Sequence, residues 1–318
     1  MLGGAGVARG DHARLFGVLG DPVEHSLSPA MHNAAFAAAR LPHLYLRYRV
    51  PIAALAGALR EAKALRMGGV NLTVPLKEAV LPLVDAFTAE AERIGAVNTI
   101  VFSPDGRLLG DNTDGAGLVR DLTANLGCKL SGARVLLLGA GGAARGIIAP
   151  LVEAGVAALE IHNRHPARAR ALAQELADLA PVRAGERPAP PPPPMPGVFG
   201  STMRVQSADA AAAHRARLKD SGYDLIINAT SASLSNELPE IPPYAVGIQT
   251  FAYDLAYRDR DTVFVHWARR AGAARAVMGL GMLVEQAAES FLLWRGVRPD
   301  TAHVLEALGD RAPKPPPG

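Results

Sequence analysis

The sequence predicts an α/β protein built of two open-sheet domains with a cleft between them. Three observations carry that reading. Strand-like and helix-like segments alternate along most of the chain, the pattern of parallel sheets with helices on their faces. A second set of such segments starts sharply at a buried run, 134–138 (RVLLL), followed at once by a glycine-rich turn. The length, 318 residues, suits two domains of roughly 150 residues each.

In the first domain, 15–20 (LFGVLG) reads as a short buried strand. Residues 28–40 read as a helix opened by Ser28-Pro29, because serine caps a helix well and proline suits its first turn. Residues 44–50 alternate apolar and polar as a strand does. Residues 51–65 are helical, and 68–74 form a strand that runs into Pro75 before another helix. Residues 96–102 form a strand that ends at a hairpin-like turn, Pro104-Asp105-Gly106. A helix over 114–126 leads out of the domain. In the second domain, strands at 134–138, 158–163, 223–230 and 245–255 alternate with helices after 146, at 166–179 and at 261–271. A last helix, 279–294, is expected to pack back on the first domain.

Two segments fit neither sheet. Residues 187–197 (RPAPPPPPMPG) cannot form helix or central strand, since proline has a fixed φ and no N–H; they are expected as an exposed polyproline II insertion. Residues 311–318 (RAPKPPPG) are expected to be disordered. The expected division is 12–113 for the first domain, completed by 279–308, and 114–278 for the second.

Hydrophobic residues make up 49% of the chain and charged residues 20%, which suits a soluble globular protein. The net charge is +3, spread without a basic block, so no nucleic-acid partner is expected. No apolar stretch reaches membrane-spanning length, and the first residues lack the apolar core of a secretion signal. Cys128 is the only cysteine, which rules out an intrachain disulfide and fits the cytoplasm. No metal is expected: there is no CxxC or HxxxH pair, and His25 and His32 stand seven apart with no third ligand.

Gly139-Ala140-Gly141-Gly142-Ala143 lies between a buried strand and an apolar helix. Such a turn lets backbone approach a pyrophosphate, while the helix N-terminus supplies free N–H groups and a positive dipole. The second domain is therefore expected to be Rossmann-type. Its second strand ends Ile161-His162-Asn163-Arg164, with Arg168 one helical turn later. A site for NAD usually places a carboxylate there to hold the ribose 2′-OH. Arginines instead match a 2′-phosphate in charge and geometry, so the expected cofactor is NADP(H), held by the glycine turn with Asn163, Arg164 and Arg168.

Four polar clusters sit in or near loops of the first domain: residues 24–29, 71–77, 95–99 and 111–115. Hydroxyls, an amide, a lysine and a carboxylate gathered at one sheet edge suit a small polyhydroxylated acid. The motifs, taken in order, resemble the shikimate dehydrogenase family over about residues 15–300. The matching pieces are His25-Ser26-Leu27-Ser28-Pro29-Ala30-Met31-His32-Asn33, Asn71 through Lys77, GAVNT at 95–99, NTDG at 112–115, the glycine turn with its following Asn163-Arg164, INATS at 227–231, and Gly279, Met282, Leu283 and Gln286.

That resemblance implies an NADP-dependent oxidoreductase reducing 3-dehydroshikimate to shikimate, for aromatic amino acid biosynthesis. Lys77 and Asp114 resemble the catalytic pair, and both are also expected to bind the substrate. Ser26 and Ser28 resemble residues that bind the substrate carboxylate, and Thr73, Asn98, Tyr257 and Gln286 resemble ring-hydroxyl or carboxylate contacts. Leu255 and Gly279 match positions near the nicotinamide. Asn33 and Asn71 read as structural hydrogen-bonders. The chain departs from the family pattern at Met278, where Asp or Asn is usual, and at His165, where Thr follows the Asn-Arg pair. A monomer or homodimer is expected. Two other readings stand beside this one: a quinate/shikimate dehydrogenase with relaxed use of NAD and NADP, and a non-catalytic NADP-sensing regulator, which would have let the Lys77–Asp114 pair erode.

Overall fold

The computed structural model describes residues 12–176, 182–184 and 222–309. The expected polyproline segment at 187–197 and tail at 311–318 lie outside these residues. The chain divides into two compact units: unit 1 comprises residues 1–128, 145–151 and 280–318, and unit 2 comprises 129–144 and 152–279.

Unit 1 holds a six-stranded sheet: β1 (Leu15–Gly20), β2 (Leu44–Arg49), β3 (Gly69–Leu72), β4 (Ala86–Phe87), β5 (Thr99–Phe102) and β6 (Leu108–Asp111), in the order β2-β1-β3-β5-β6-β4. Its helices are α1 (Ser28–Ala38), α2 (Leu55–Ala64), α3 (Leu76–Ala79), α4 (Ala89–Ile94) and α5 (Asp114–Arg120). The sheet is mixed, where a parallel one was expected. β1 pairs in parallel with β2 and β3, but β5 runs antiparallel to both β3 and β6. For β5 and β6 the cause is local: the turn at Pro104-Asp105-Gly106 is too short for a crossover helix, so it can only return the chain antiparallel. Ser28 is the first residue of α1 rather than its cap; the N-cap position is Leu27, with no side-chain cap, while Pro29 sits in the first turn as expected.

Unit 2 holds β7 (Arg134–Leu138), β8 (Ala158–His162), β9 (Val182–Ala184), β10 (Tyr223–Asn228), β11 (Val246–Asp254) and β12 (Arg275–Met278), with α7 (Pro166–Glu175), α8 (Val263–Arg270) and the two ends of α6 (Gly142–Glu153), whose middle, 145–151, is counted with unit 1. All its pairings are parallel, in the order β12-β11-β10-β7-β8-β9. That is the doubly wound order, which reverses between β7 and β10 and binds ligands at the carboxyl ends of the strands there. Val135, Leu136, Leu137, Leu159, Ile161, Leu225, Ile226 and Ile227 are fully buried, as strands covered on both faces must be.

Unit 1 resumes with α9 (Leu280–Arg295) and α10 (Ala302–Gly309). α9 packs along α5, and this is why unit 1 extends to residue 128 rather than ending at 113. Phe291 meets Phe36 at 5.2 Å between ring centres, and Trp294 meets Phe16 at 5.1 Å while donating to the Ile100 carbonyl at 3.1 Å.

His32, on α1, is buried in the same aromatic cluster, stacked on Tyr45 with ring centres 4.3 Å apart and planes 10° apart. Burial pushes its pKa down to about 3, against a hydrogen bond with Asn71 that raises it. The unfolded chain binds a proton at the ordinary value of 6.5, whereas the folded chain does not until about pH 3. Stability is therefore fully present above pH 6.5 and falls as the pH drops toward 3, with a slope of about 1.4 kcal/mol per pH unit. Between pH 7.5 and 5, His32 is expected to cost about 2 kcal/mol. Urea unfolding of the wild type and His32→Phe at both pH values checks this; equal losses in the two proteins would exclude it.

Candidate active site

Lys77 and Asp114 are brought together by the end of β3 and the start of α5. Pro75 stops β3, and Lys77 lies in the one-turn helix α3 that follows; its carbonyl accepts from Val97 N at 2.9 Å. Asp114 is the first residue of α5. Lys77 Nζ donates to Asp114 Oδ2, with the two side chains only 16% and 7% exposed. Asp114 Oδ1 accepts from Asn98 Nδ2 at 2.8 Å. The Asn98 amide has one orientation, because the Thr113 backbone N–H meets its Oδ1 at 2.9 Å and requires an acceptor there. One carboxylate oxygen is thus held by an amide and the other by an ammonium.

The other unit 1 residues singled out in the sequence have their own partners. Asn71 donates to Thr99 Oγ1 at 3.0 Å and accepts from the Tyr45 hydroxyl at 2.7 Å. The same hydroxyl is hydrogen-bonded to Ser28, and burial raises the Tyr45 pKa. Ser26 Oγ donates to Ser28 Oγ at 3.1 Å, and Arg47 clamps the Ser26 carbonyl with two N–H groups at 2.8 and 2.6 Å. Asn33 fixes the start of β2 by pairing with both the N–H and the carbonyl of Tyr45. Gln286 on α9 is half-buried and meets Thr113 Oγ1 at 3.5 Å. Thr73 is half-buried at the turn between β3 and α3.

In unit 2, β7 passes into the turn Gly139–Gly141 and then α6. Gly139 has φ +114°, and a Cβ there would come within 3.1 Å of the Ala229 backbone; at Gly141 a Cβ would meet nothing within 4 Å. The turn thus needs glycine for its backbone and leaves open space at its tip. These residues suit a pyrophosphate. Gly139 N donates to the His162 carbonyl at 2.7 Å, which ties the turn to the end of β8. Beyond β8, Asn163 Nδ2 donates to the His165 carbonyl at 3.1 Å, and Arg164, His165 and Arg168 are exposed. The nearest carboxylate on β8, Glu160, is buried and engaged by His162 Nε2 at 2.8 Å. The strand end therefore offers guanidinium groups to a 2′-phosphate and no free carboxylate to a 2′-OH.

Tyr257 is half-buried in the segment after β11, and Leu255 and Gly279 lie beside a buried carboxylate that sequence reasoning missed. Asp254 is fully buried and accepts from Asn228 Nδ2 at 3.0 Å, Ser233 Oγ at 2.6 Å, Thr262 Oγ1 at 2.6 Å and Ala256 N at 3.1 Å. Burial raises its pKa, against the four hydrogen bonds that lower it. Gly279 N donates to the Ala256 carbonyl at 3.2 Å, and a Cβ at Gly279 would stand 2.6 Å from the Leu255 carbonyl oxygen. Gly279→Ala is accordingly expected to destabilise the protein by about 1–3 kcal/mol, read as a lowered unfolding midpoint in urea. Met278, the departure beside it, pairs in register with Asp254 as the last residue of β12 and packs on the core formed by Leu136, Ile226 and Phe264.

Three family models match the chain: the shikimate dehydrogenase substrate binding domain over residues 18–100, shikimate/quinate 5-dehydrogenase over 121–184, and the shikimate 5′-dehydrogenase C-terminal domain over 279–308. A shikimate dehydrogenase (NADP(+)) of Dechloromonas aromatica is 47% identical over 298 residues, covering 92% of this chain and 97% of the relative. One of Alkalilimnicola ehrlichii is 44% identical over 293 residues, with 92% and 97% covered. Among solved structures, shikimate 5-dehydrogenase of Thermus thermophilus, in complex with NADP(H) and shikimate, aligns with a TM-score of 0.75 at 36% identity, covering 94% of this chain and 99% of that one.

Proposed function

Since the chain belongs to the shikimate dehydrogenase family, we propose that it catalyses the reversible NADP-dependent reduction of 3-dehydroshikimate to shikimate, a step of chorismate and aromatic amino acid biosynthesis. The observation that carries this reading is the direct, largely buried Lys77–Asp114 pair, with its carboxylate fixed by Asn98. A non-catalytic NADP sensor would have no use for it.

NADPH, when bound, would supply the hydride for the ketone carbon. As that carbon is reduced, its oxygen gains negative charge. Lys77 Nζ carries three N–H donors, of which one is directed at Asp114 Oδ2, leaving the others for that oxygen. Nζ stabilises the charge and delivers a proton to it. In the oxidation direction Nζ receives the proton of the substrate hydroxyl. Asp114 holds Nζ and orients that hydroxyl.

On this reading the Ser26 and Ser28 hydroxyls bind the substrate carboxylate, and Thr73, Asn98, Tyr257 and Gln286 bind the ring hydroxyls or that carboxylate. Gly139, Ala140, Gly141, Gly142 and Ala143 hold the pyrophosphate, Asn163, Arg164 and Arg168 hold the 2′-phosphate end, and Leu255 and Gly279 border the nicotinamide. Unit 1 is the substrate domain and unit 2 the cofactor domain. The enzyme acts in the cytoplasm as a monomer or homodimer. Among the described residues no helix is long and apolar enough to cross a membrane.

The test is absorbance at the reduced-nicotinamide band, with shikimate or quinate crossed against NADP or NAD. A fast signal confined to shikimate with NADP supports the proposal. Comparable signal with quinate or NAD would indicate a broader dehydrogenase, and silence in all four combinations would favour the sensor.

A further inference from the structure

Ser290, on α9, is fully buried and belongs to none of the motifs that point to the reaction. Its hydroxyl nevertheless joins every arm of the polar network beneath the Lys77–Asp114 pair. It accepts from Asn71 Nδ2 at 2.9 Å and has Thr113 Oγ1 at 3.2 Å, and because the Thr99 hydrogen goes to Asn98, its own single hydrogen is shared between Thr99 Oγ1 at 2.9 Å and the Gln286 carbonyl at 3.1 Å. Thr99 and Thr113 are the residues that grip the Asn98 side chain. Thr99 Oγ1 donates to Asn98 Oδ1 at 2.7 Å, and Thr113 Oγ1 accepts from Asn98 Nδ2 at 3.0 Å.

We propose that Ser290 is a positioning residue: by bridging Thr99 and Thr113 it locks the Asn98 amide, and through Asn98 Nδ2 it sets the carboxylate of Asp114 against Lys77. The bridge links β5 and the start of α5 to α9 with one hydroxyl. A buried hydroxyl whose partners are all satisfied makes such a set rigid, and losing it leaves those partners free to rearrange. Rearrangement at Asn98 moves the carboxylate that holds the Lys77 ammonium, and small misplacement of a catalytic group is costly in rate. The inference rests on the assignment of Lys77 and Asp114 to the reaction.

The experiment compares wild type and Ser290→Ala by steady-state kinetics across pH and by the side-chain amide signals of Asn98 in nuclear magnetic resonance. The expected result is a fall in kcat of about tenfold, a shifted pH profile of kcat, an unchanged KM for NADP, and Asn98 amide protons that move and exchange faster. Should Ser290→Ala not fold, Ser290→Cys, which keeps a side chain of similar size but offers only a weak donor, is expected to show the same fall in kcat and the same Asn98 shifts. An active wild type whose variant keeps its kcat and pH profile overturns the proposal. If the wild type turns over no shikimate, the assigned reaction is wrong, and the Asn98 signals alone then decide: unchanged signals in the variant overturn the positioning role, and shifted, faster-exchanging ones sustain it.

Discussion

Lys77→Ala is expected to lower kcat for shikimate oxidation by about 10²- to 10⁴-fold, the range supplied by one well-placed general acid or base. The substrate dissociation constant should change far less, because on the proposed reading Ser26, Ser28, Thr73, Asn98, Tyr257 and Gln286 supply most of the carboxylate and ring contacts. The substitution leaves Asp114 with Asn98 as its partner and no cation beside Oδ2, so some loss of stability accompanies it. Rates must therefore be taken per folded molecule, with calorimetric titration of shikimate giving the affinity. Arginine at this position should not restore activity, since its planar guanidinium cannot deliver a proton at working pH. A Lys77→Ala enzyme turning over at wild-type rate would remove the lysine from the mechanism.

The second large effect concerns the cofactor. Arg164→Ala with Arg168→Ala is expected to raise KM for NADP by about a hundredfold and to leave KM for NAD within about twofold. Each charge-assisted bond to a phosphate is worth about 1.5–3 kcal/mol, and exposure of both arginines argues for the lower end of that range. Initial rates at varied cofactor concentration, run with each nucleotide, measure the ratio directly. A parallel loss with both nucleotides would mean that the arginines support the fold of the β8–α7 turn instead.

The same arginines show what could be read in the sequence. RVLLL, the glycine turn and the strand ending in Asn163-Arg164 lie close together in the chain, and local sequence dictates their form, so the stretch 134–164 was legible almost residue by residue. β4 and β12 were not, because two residues in one case and the run Arg275–Met278 in the other carry too little hydrophobic periodicity. The antiparallel pairing of β5 was foreshadowed by the turn at 104–106 but not weighed against the alternation. In the site, Lys77 and Asp114 were visible through their motifs. The network beneath them was not: Asn71, Thr99, Thr113 and Ser290 are ordinary polar residues far apart in the chain, joined only by hydrogen bonds made after folding. One signal was available. Ser290 follows Gln286 by four residues, which on a helix places both on one face.

Unit 1 is split in the chain: residues 1–128 belong to it, and it is completed only by residues from 280 onward. Phe291 and Trp294 fill its aromatic cluster, and Ser290 closes its polar network. On the ribosome, then, the first part of the protein to emerge is the last to be finished. Until α9 is synthesised, Asn71, Thr99 and Thr113 lack the Ser290 hydroxyl that joins them and the Phe16–Phe36 face stays open, whereas unit 2 is complete once residue 279 has emerged. A nascent chain arrested near that residue would carry a folded nucleotide half and a substrate half still exposed to proteases.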